Sequence, residues 1–187
     1  MRVIVLGAFH ELIELCELSG YEIVGIIDNE YSGSFMGYSI LGTDKEVKEL
    51  AMRYKEIPLV LGPDSPNVKK RLYQLYNDAG FGFATIISPR AFISKSAIIE
   101  EGSIIQSGVN VSSCAHIDRF CKLNFNCNIM HDVRVGAFSI IAPNAVVLGR
   151  AVIGEESYIG ANATIEHDAV IEKGAKIPTA FYFKSNE

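Results

Sequence analysis

Counting in sixes from Ile87 meets an aliphatic residue every time. Ile87, Ile93, Ile99, Ile105, Val111, Ile117, Leu123, Ile129, Val135, Ile141, Val147, Ile153, Ile159, Ile165, Ile171 and Ile177 are sixteen successive steps without a break. Two residues before each, from Ala91 to Ala175, stands a smaller residue: mostly Ala, otherwise Ser, Cys or Val. An amphipathic helix repeats near 3.6 residues and a plain strand at 2, so six belongs to neither alone. It fits short strands joined by turns and wound into a parallel β-helix, where each coil buries its aliphatics against the coils on either side. Cys121 and Cys127 fall on the smaller position and read as inward fillers. Gly136, Gly154 and Gly160 follow the aliphatic directly and suit turns. The register never slips, so no long loop should interrupt the coil. Pro178 is expected to end it, with the apolar segment 179–183 covering the last coil.

Residues 1–86 have another texture. RVIVLG, YEIVGIID, IPLVLG and FGFATII read as four strands. Between them lie helical spacings at 11–19, near 44–54 and at 66–79, the last carrying Lys69, Lys70 and Arg71. Thr43 and Glu46 form a candidate capping box. Alternating strands and helices predict a small parallel α/β domain over 1–86, followed by the coil domain over 87–187. Ligands of such sheets bind beyond the carboxyl ends of the strands. Those ends carry Gly7-Ala8-Phe9-His10, Asp28-Asn29 and Gly62-Pro63-Asp64. The dinucleotide signature G-x-G-x-x-G is missing, so a single nucleotide fits better than NAD. Gly7 would let the backbone approach it, and Asp28 would accept from a ribose hydroxyl or a base N–H. The alternative is that both are ordinary turn residues.

Composition narrows the classes. The net charge of −5, with 21% charged residues, argues against nucleic acid or an anionic membrane as the main partner. No apolar run is long enough for a membrane span. MRVIVLGAFH reads as a strand rather than a leader. The four cysteines form no C-x-x-C pair, which disfavours zinc and thioredoxin-like sites, and no metal is expected. The expected compartment is the reducing cytoplasm.

The chemistry-bearing stretch is NIMHDVRVG, residues 128–136. A neutral imidazole at His131 suits proton abstraction, and the carboxylate of Asp132 can fix its tautomer. His167-Asp168 repeats the pair 36 residues later and reads as an exposed turn or a groove edge. His116 reads as a solvent or interface residue.

Three stretches carry a family resemblance: VIVLGAFH at the start, IISPRAFISKSAIIEEG at the junction, and LNFNCNIMHDVRVGAFSIIAPNAVVLGRAVIGEESYIGANATI in the coil. With them the chain resembles hexapeptide-repeat sugar acetyltransferases of the sialic-acid O-acetyltransferase and bacillosamine-pathway N-acetyltransferase type. The resemblance implies a Rossmann-like N-terminal domain followed by a left-handed parallel β-helix. Its coils would take three hexads each, about five coils here. It implies a homotrimer with acetyl-CoA in the groove between neighbouring coils. The implied reaction is acetyl transfer to the amine of a UDP- or dTDP-linked 4-amino sugar, in surface-glycan synthesis. The implied catalytic residues are His131 as general base, Asp132 as its orienter, and Asn124. The nucleotide sugar falls to Gly7, Ala8, Phe9, His10, Asp28, Asn29 and Gly62. Acetyl-CoA falls to Ala142, Gly149, Gly160, Ala161 and Asn162.

The chain departs from the family pattern in three places. Phe9 and Glu11 flank His10 where the family has glycines. Ile140 stands where some members carry a second histidine. The family's C-terminal G-x-P-A segment is missing. Three alternatives remain beside the N-acetyltransferase: a sugar O-acetyltransferase, a catalytically impaired trimeric scaffold, and a zinc-dependent hydratase.

Overall fold

The structure is a computed structural model and describes residues 1–184. The chain divides into two units, Met1–Ile86 and Ile87–Glu187.

The first unit is built on β1 (Arg2–Leu6), β2 (Glu22–Ile27), β3 (Ser34–Phe35), β4 (Tyr38–Gly42) and β5 (Leu59–Leu61), in the order β3-β4-β2-β1-β5. β1 pairs in parallel with both β2 and β5, and β2 with β4. β1 and β5 are almost wholly buried, as parallel strands usually are. Helix α1 (His10–Leu18) turns Leu12, Ile13, Leu15 and Cys16 inward, the spacing of one helical face. A 3₁₀ turn at Asp44–Glu46 leads into α2 (Val47–Tyr54). The backbone N–H and hydroxyl of Thr43 both donate to the Glu46 carboxylate at 2.9 Å, which secures that start. Helix α3 (Pro66–Asp78) begins on Pro66, whose fixed φ suits a first turn.

Two elements differ from expectation. β3 and β4 form an antiparallel hairpin through Met36 and Gly37, both at positive φ. That turn needs two left-handed residues, and Met-Gly does not advertise one. FGFATII is not a strand of this sheet. Phe83 makes a single parallel bridge to Leu59, and Ile86–Ile87 is the first strand of the coil.

Among the described residues the coil holds seventeen two-residue strands, β6 (Ile86–Ile87) to β22 (Tyr182–Phe183), one every six residues. Each pairs in parallel with the third strand on: β10 (Asn110–Val111) with β13 (Asn128–Ile129), β11 (His116–Ile117) with β14 (Arg134–Val135), and β12 (Lys122–Leu123) with β15 (Ile140–Ile141). Three sheets result: a first face containing β12, a second containing β13 and a third containing β14. This arrangement fits a left-handed hexapeptide β-helix. From β7 to β21 the second residue of each strand and the smaller residue before it point inward and form one continuous core, whereas Ile87 of β6 is exposed. Cys121 and Cys127 are wholly buried there. Where Ser replaces Ala at Ser103, Ser139 and Ser157, the hydroxyl donates to a backbone carbonyl at 3.0–3.1 Å. Among the described residues no buried side-chain polar atom lacks a partner.

Pro178 does not end the coil. β22 follows it, pairs with β19 (Thr164–Ile165), and sets Phe183 against the core. In Pro178's column each N–H donates to the coil that follows: Asn124 to Ile141, Ala142 to Ile159, and Gly160 to Ile177. Among the described residues no coil follows Pro178 in this column, and its missing N–H breaks none of the described ladder bonds.

Candidate active site

His131 and Asp132 occupy the two-residue turn between β13 and β14, at the corner joining the second and third faces. The main chain here is fixed from both sides. Asp132 N–H donates to Ser113 O one coil back, and Arg150 N–H donates to His131 O one coil on, each at 3.0 Å. Asp132 takes a φ of 60°, a left-handed conformation that Asp tolerates better than most residues. The turn leaves both side chains about half exposed, with His131 Nδ1 2.8 Å from Asp132 Oδ2. An ionised carboxylate only accepts, so Nδ1 carries the proton. The lone pair of the neutral ring is then on Nε2. That nitrogen lies over Gly149, where a β-carbon would stand 2.6 Å from it. Gly149 therefore makes the room in which the His131 ring sits.

The same corner column continues upward. Arg150 follows Gly149, and its guanidinium meets Asp168 through Nε–Oδ1 at 2.6 Å and a second N–H to Oδ2 at 2.7 Å. His167 Nδ1 lies 2.9 Å from Asp168 Oδ2. Arg150, then His167, holds the Asp168 carboxyl far below the usual carboxylate range. Arg150 separates the two His-Asp pairs, a role no sequence motif marked. One coil beneath Asp132, at the equivalent turn position, is the exposed thiol of Cys114.

Asn124 does not share this corner. It follows β12 at the turn between the first and second faces, is nearly buried, and donates through Nδ2 to Ile141 O at 3.1 Å. Ala142, Gly160, Ala161 and Asn162 lie along that same corner. The residues named for catalysis and acetyl-CoA thus fall on two corners of one chain: His131, Asp132 and Gly149 on one, the other five on the next.

On the third face, Glu100 Oε1 lies 2.7 Å and Asp118 Oδ1 3.4 Å from His116 Nε2. Burial, then the neighbouring Glu100 charge, pushes the Asp118 carboxyl up. His116 is therefore held between carboxylates rather than standing free in solvent. The arrangement follows from strand alternation, which puts residues 116 and 118 on one side, and from the eighteen-residue coil, which puts 100 beneath 118.

The first unit has a cavity of about 420 Å³ beyond the carboxyl ends of β1 and β2. Gly7, Ala8, Phe9, Asp28 and Asn29 line it; His10 and Gly62 do not. The His10 ring instead packs edge-on against Phe35, with centroids 4.6 Å apart. Asp28 is a turn organiser. Its Oδ2 accepts from Ala8 N–H at 2.8 Å, and its Oδ1 from Glu30 and Tyr31 N–H at 2.8 and 3.0 Å. Asn29 is tied to Asp44 by a reciprocal pair, Nδ2 to Oδ2 at 2.8 Å and Asp44 N–H to Oδ1 at 3.0 Å. Asp44 also accepts from the buried Tyr76 hydroxyl at 2.8 Å, and burial, then that bond, pushes the phenol up. Tyr31, Asp44 and Arg71 are lining residues that strand-end reasoning missed.

No protein-family model matches the chain, and no curated protein sequence matches it. Solved structures do. The chain is similar to the acetyltransferase domain of PglB from Neisseria gonorrhoeae: 23% identity over 99% of this chain and 92% of that one, with a TM-score of 0.91. The same domain in complex with acetyl coenzyme A gives 24% identity, 97% and 94% coverage and a TM-score of 0.84. PerB from Caulobacter crescentus, in complex with CoA and GDP-perosamine, gives 21% identity, 98% and 92% coverage and a TM-score of 0.80. At such identities the likeness shows the fold, and it runs through both units. Among the described residues no helix is long and apolar enough to cross a membrane.

Proposed function

We propose that this chain is an acetyl-CoA-dependent N-acetyltransferase acting on the amine of a nucleotide-linked amino sugar in surface-glycan synthesis, working as a homotrimer in the cytoplasm. The observation that carries the reading is the His131–Asp132 pair, set at 2.8 Å on an exposed corner with Nε2 over the space left by Gly149. Full-length likeness to PglB's acetyltransferase domain and to PerB supports it. Both of those structures hold a coenzyme A species, and PerB also holds GDP-perosamine. The first unit is then a Rossmann-like domain whose cavity takes the nucleotide, and the coil is left-handed.

The chemistry is a direct transfer. The sugar amine attacks the thioester carbonyl carbon, Nε2 of His131 takes a proton from the amine nitrogen, and the carbon–sulfur bond breaks to release CoA thiolate. Asp132 holds the Nδ1 proton and stabilises the imidazolium that forms. A thiol relay is disfavoured. Cys121 and Cys127 point into the core, and burial pushes the Cys127 thiol up to about 12. The two-corner division of the named residues supports the trimer: a groove between the His131 corner of one chain and the Asn124–Asn162 corner of its neighbour reunites them.

The test is CoA release from acetyl-CoA with UDP-, dTDP- and GDP-linked amino sugars, with His131→Ala as control. The expected result is turnover with one acceptor and a fall in kcat of about 10²- to 10⁴-fold in the variant. Turnover only with hydroxyl acceptors would replace N- by O-acetylation. Full activity in His131→Ala would remove the base.

A further inference from the structure

The cavity of the first unit has its glycine turn already spent. Gly7 N–H donates to Ile27 O at 2.9 Å, Ala8 N–H to Asp28 Oδ2 at 2.8 Å, and Phe9 N–H to Gly7 O at 3.0 Å. Three successive amides that would cradle a phosphate in a strand–turn–helix site therefore each have an acceptor. The space above the turn is filled too. The Phe9 ring lies against Gly7, and a β-carbon at Gly62 would stand 2.6 Å from Phe9 Cδ2. The glycines here admit a phenyl ring, not a pyrophosphate.

The charge on the cavity wall is one-sided. Asp28, Glu30 and Asp44 line it as acids, and among the described lining residues Arg71 alone is a cation. Arg71 rises from the second turn of α3 and is exposed. Its side chain has no ion pair or hydrogen bond among the described residues. An Arg beside three carboxylates that pairs with none of them is free for an incoming anion.

We propose that Arg71 is the phosphate anchor of this site, taking the nucleotide's phosphate oxygens in place of the glycine-turn amides. The inference rests on the nucleotide reading above and assigns the residue that reading lacked. A guanidinium forks onto phosphate oxygens through two N–H groups, which a neutral wall cannot replace. Asp28 and Asp44 remain acceptors for a ribose hydroxyl or a base N–H, so the acidic wall and the single cation sort the two ends of one ligand. The nucleotide lies with its phosphates toward α3.

Calorimetric titration of UDP, GDP and dTDP, each beside its nucleoside, into the full chain tests this against Arg71→Gln and Arg71→Lys. The expected result is binding of at least one diphosphate by the wild type. Arg71→Gln should weaken it about 10- to 100-fold, leave nucleoside binding unchanged, and remove most of the salt dependence. Arg71→Lys should recover part of the loss. Wild-type binding that Arg71→Gln does not weaken would overturn the anchor while leaving the nucleotide site intact. No diphosphate binding by the wild type would overturn the nucleotide reading and the anchor with it. Arg71 is exposed, so unchanged thermal melting is expected to separate lost binding from lost folding.

Discussion

The imidazole of His131 owes its position to an atom that is missing. Gly149 sits one coil beyond it, and its lack of a β-carbon leaves the volume that Nε2 occupies. Gly149→Ala is therefore expected to displace the ring without touching the core. Misplacing a catalytic group by about an ångström costs on the order of 10²-fold, and kcat should carry that loss while the melting temperature stays put. An unchanged kcat would mean that the ring works from another rotamer. The cysteines make a second prediction at this scale. Cys16 and Cys127 have thiols pushed up to about 12 by burial, and Cys121 is wholly buried. Cys114 is exposed. A thiol reagent at neutral pH should label one cysteine of the native protein quickly and the rest only after unfolding. Cys114→Ser should abolish the fast phase; a fast phase that survives would show that a buried thiol opens.

Within the elements, the hexad spacing decided almost everything about the coil. It marked the inward residues, the turns and the paired strands, because every coil repeats one solution to one packing problem. His131-Asp132 was legible for the same reason, since a polar pair inside an aliphatic repeat can only be a corner. The first unit was less legible. Met36 and Gly37 make a hairpin through backbone angles that their side chains do not signal, and FGFATII has a strand's composition without a strand's partners. Asn124 was matched to a motif as a partner of His131, although the same spacing, six residues to a corner, already sets it one corner earlier. The coil's glycines give the prediction at this scale. A β-carbon at Gly154 would stand 2.5 Å from the Lys173 backbone nitrogen, whereas one at Gly174, at φ +71°, meets nothing within 4 Å. Backbone cannot give way as a side-chain tip can. Gly154→Ala should destabilise by about 1–3 kcal/mol through overpacking, and Gly174→Ala by roughly 1–2 kcal/mol through its left-handed φ. Urea titration of both checks this: no measurable loss at Gly154 would show that the coils part easily.

At the scale of the whole molecule the two-corner division becomes a statement about assembly. On the proposed reading, a chain with His131, Asp132 and Gly149 on one corner and Asn124, Ala142, Gly160, Ala161 and Asn162 on the next holds two halves of a site that it does not close alone. Closing it between neighbours requires a ring, and three chains complete one when each offers one corner to the left and the other to the right. Light scattering should then give about three times the 20.5 kDa of the chain. The sharper test is complementation. His131→Ala removes the base from one corner, and Ala161→Trp blocks the other. Each variant alone should be inactive as a trimer. Co-expressed and assembled at random, a site is whole only where the base comes from the Trp variant and the open corner from the Ala variant. That combination occurs at roughly a quarter of the interfaces, so about that fraction of wild-type activity should return. No recovery in mixed trimers would place the complete site within one chain.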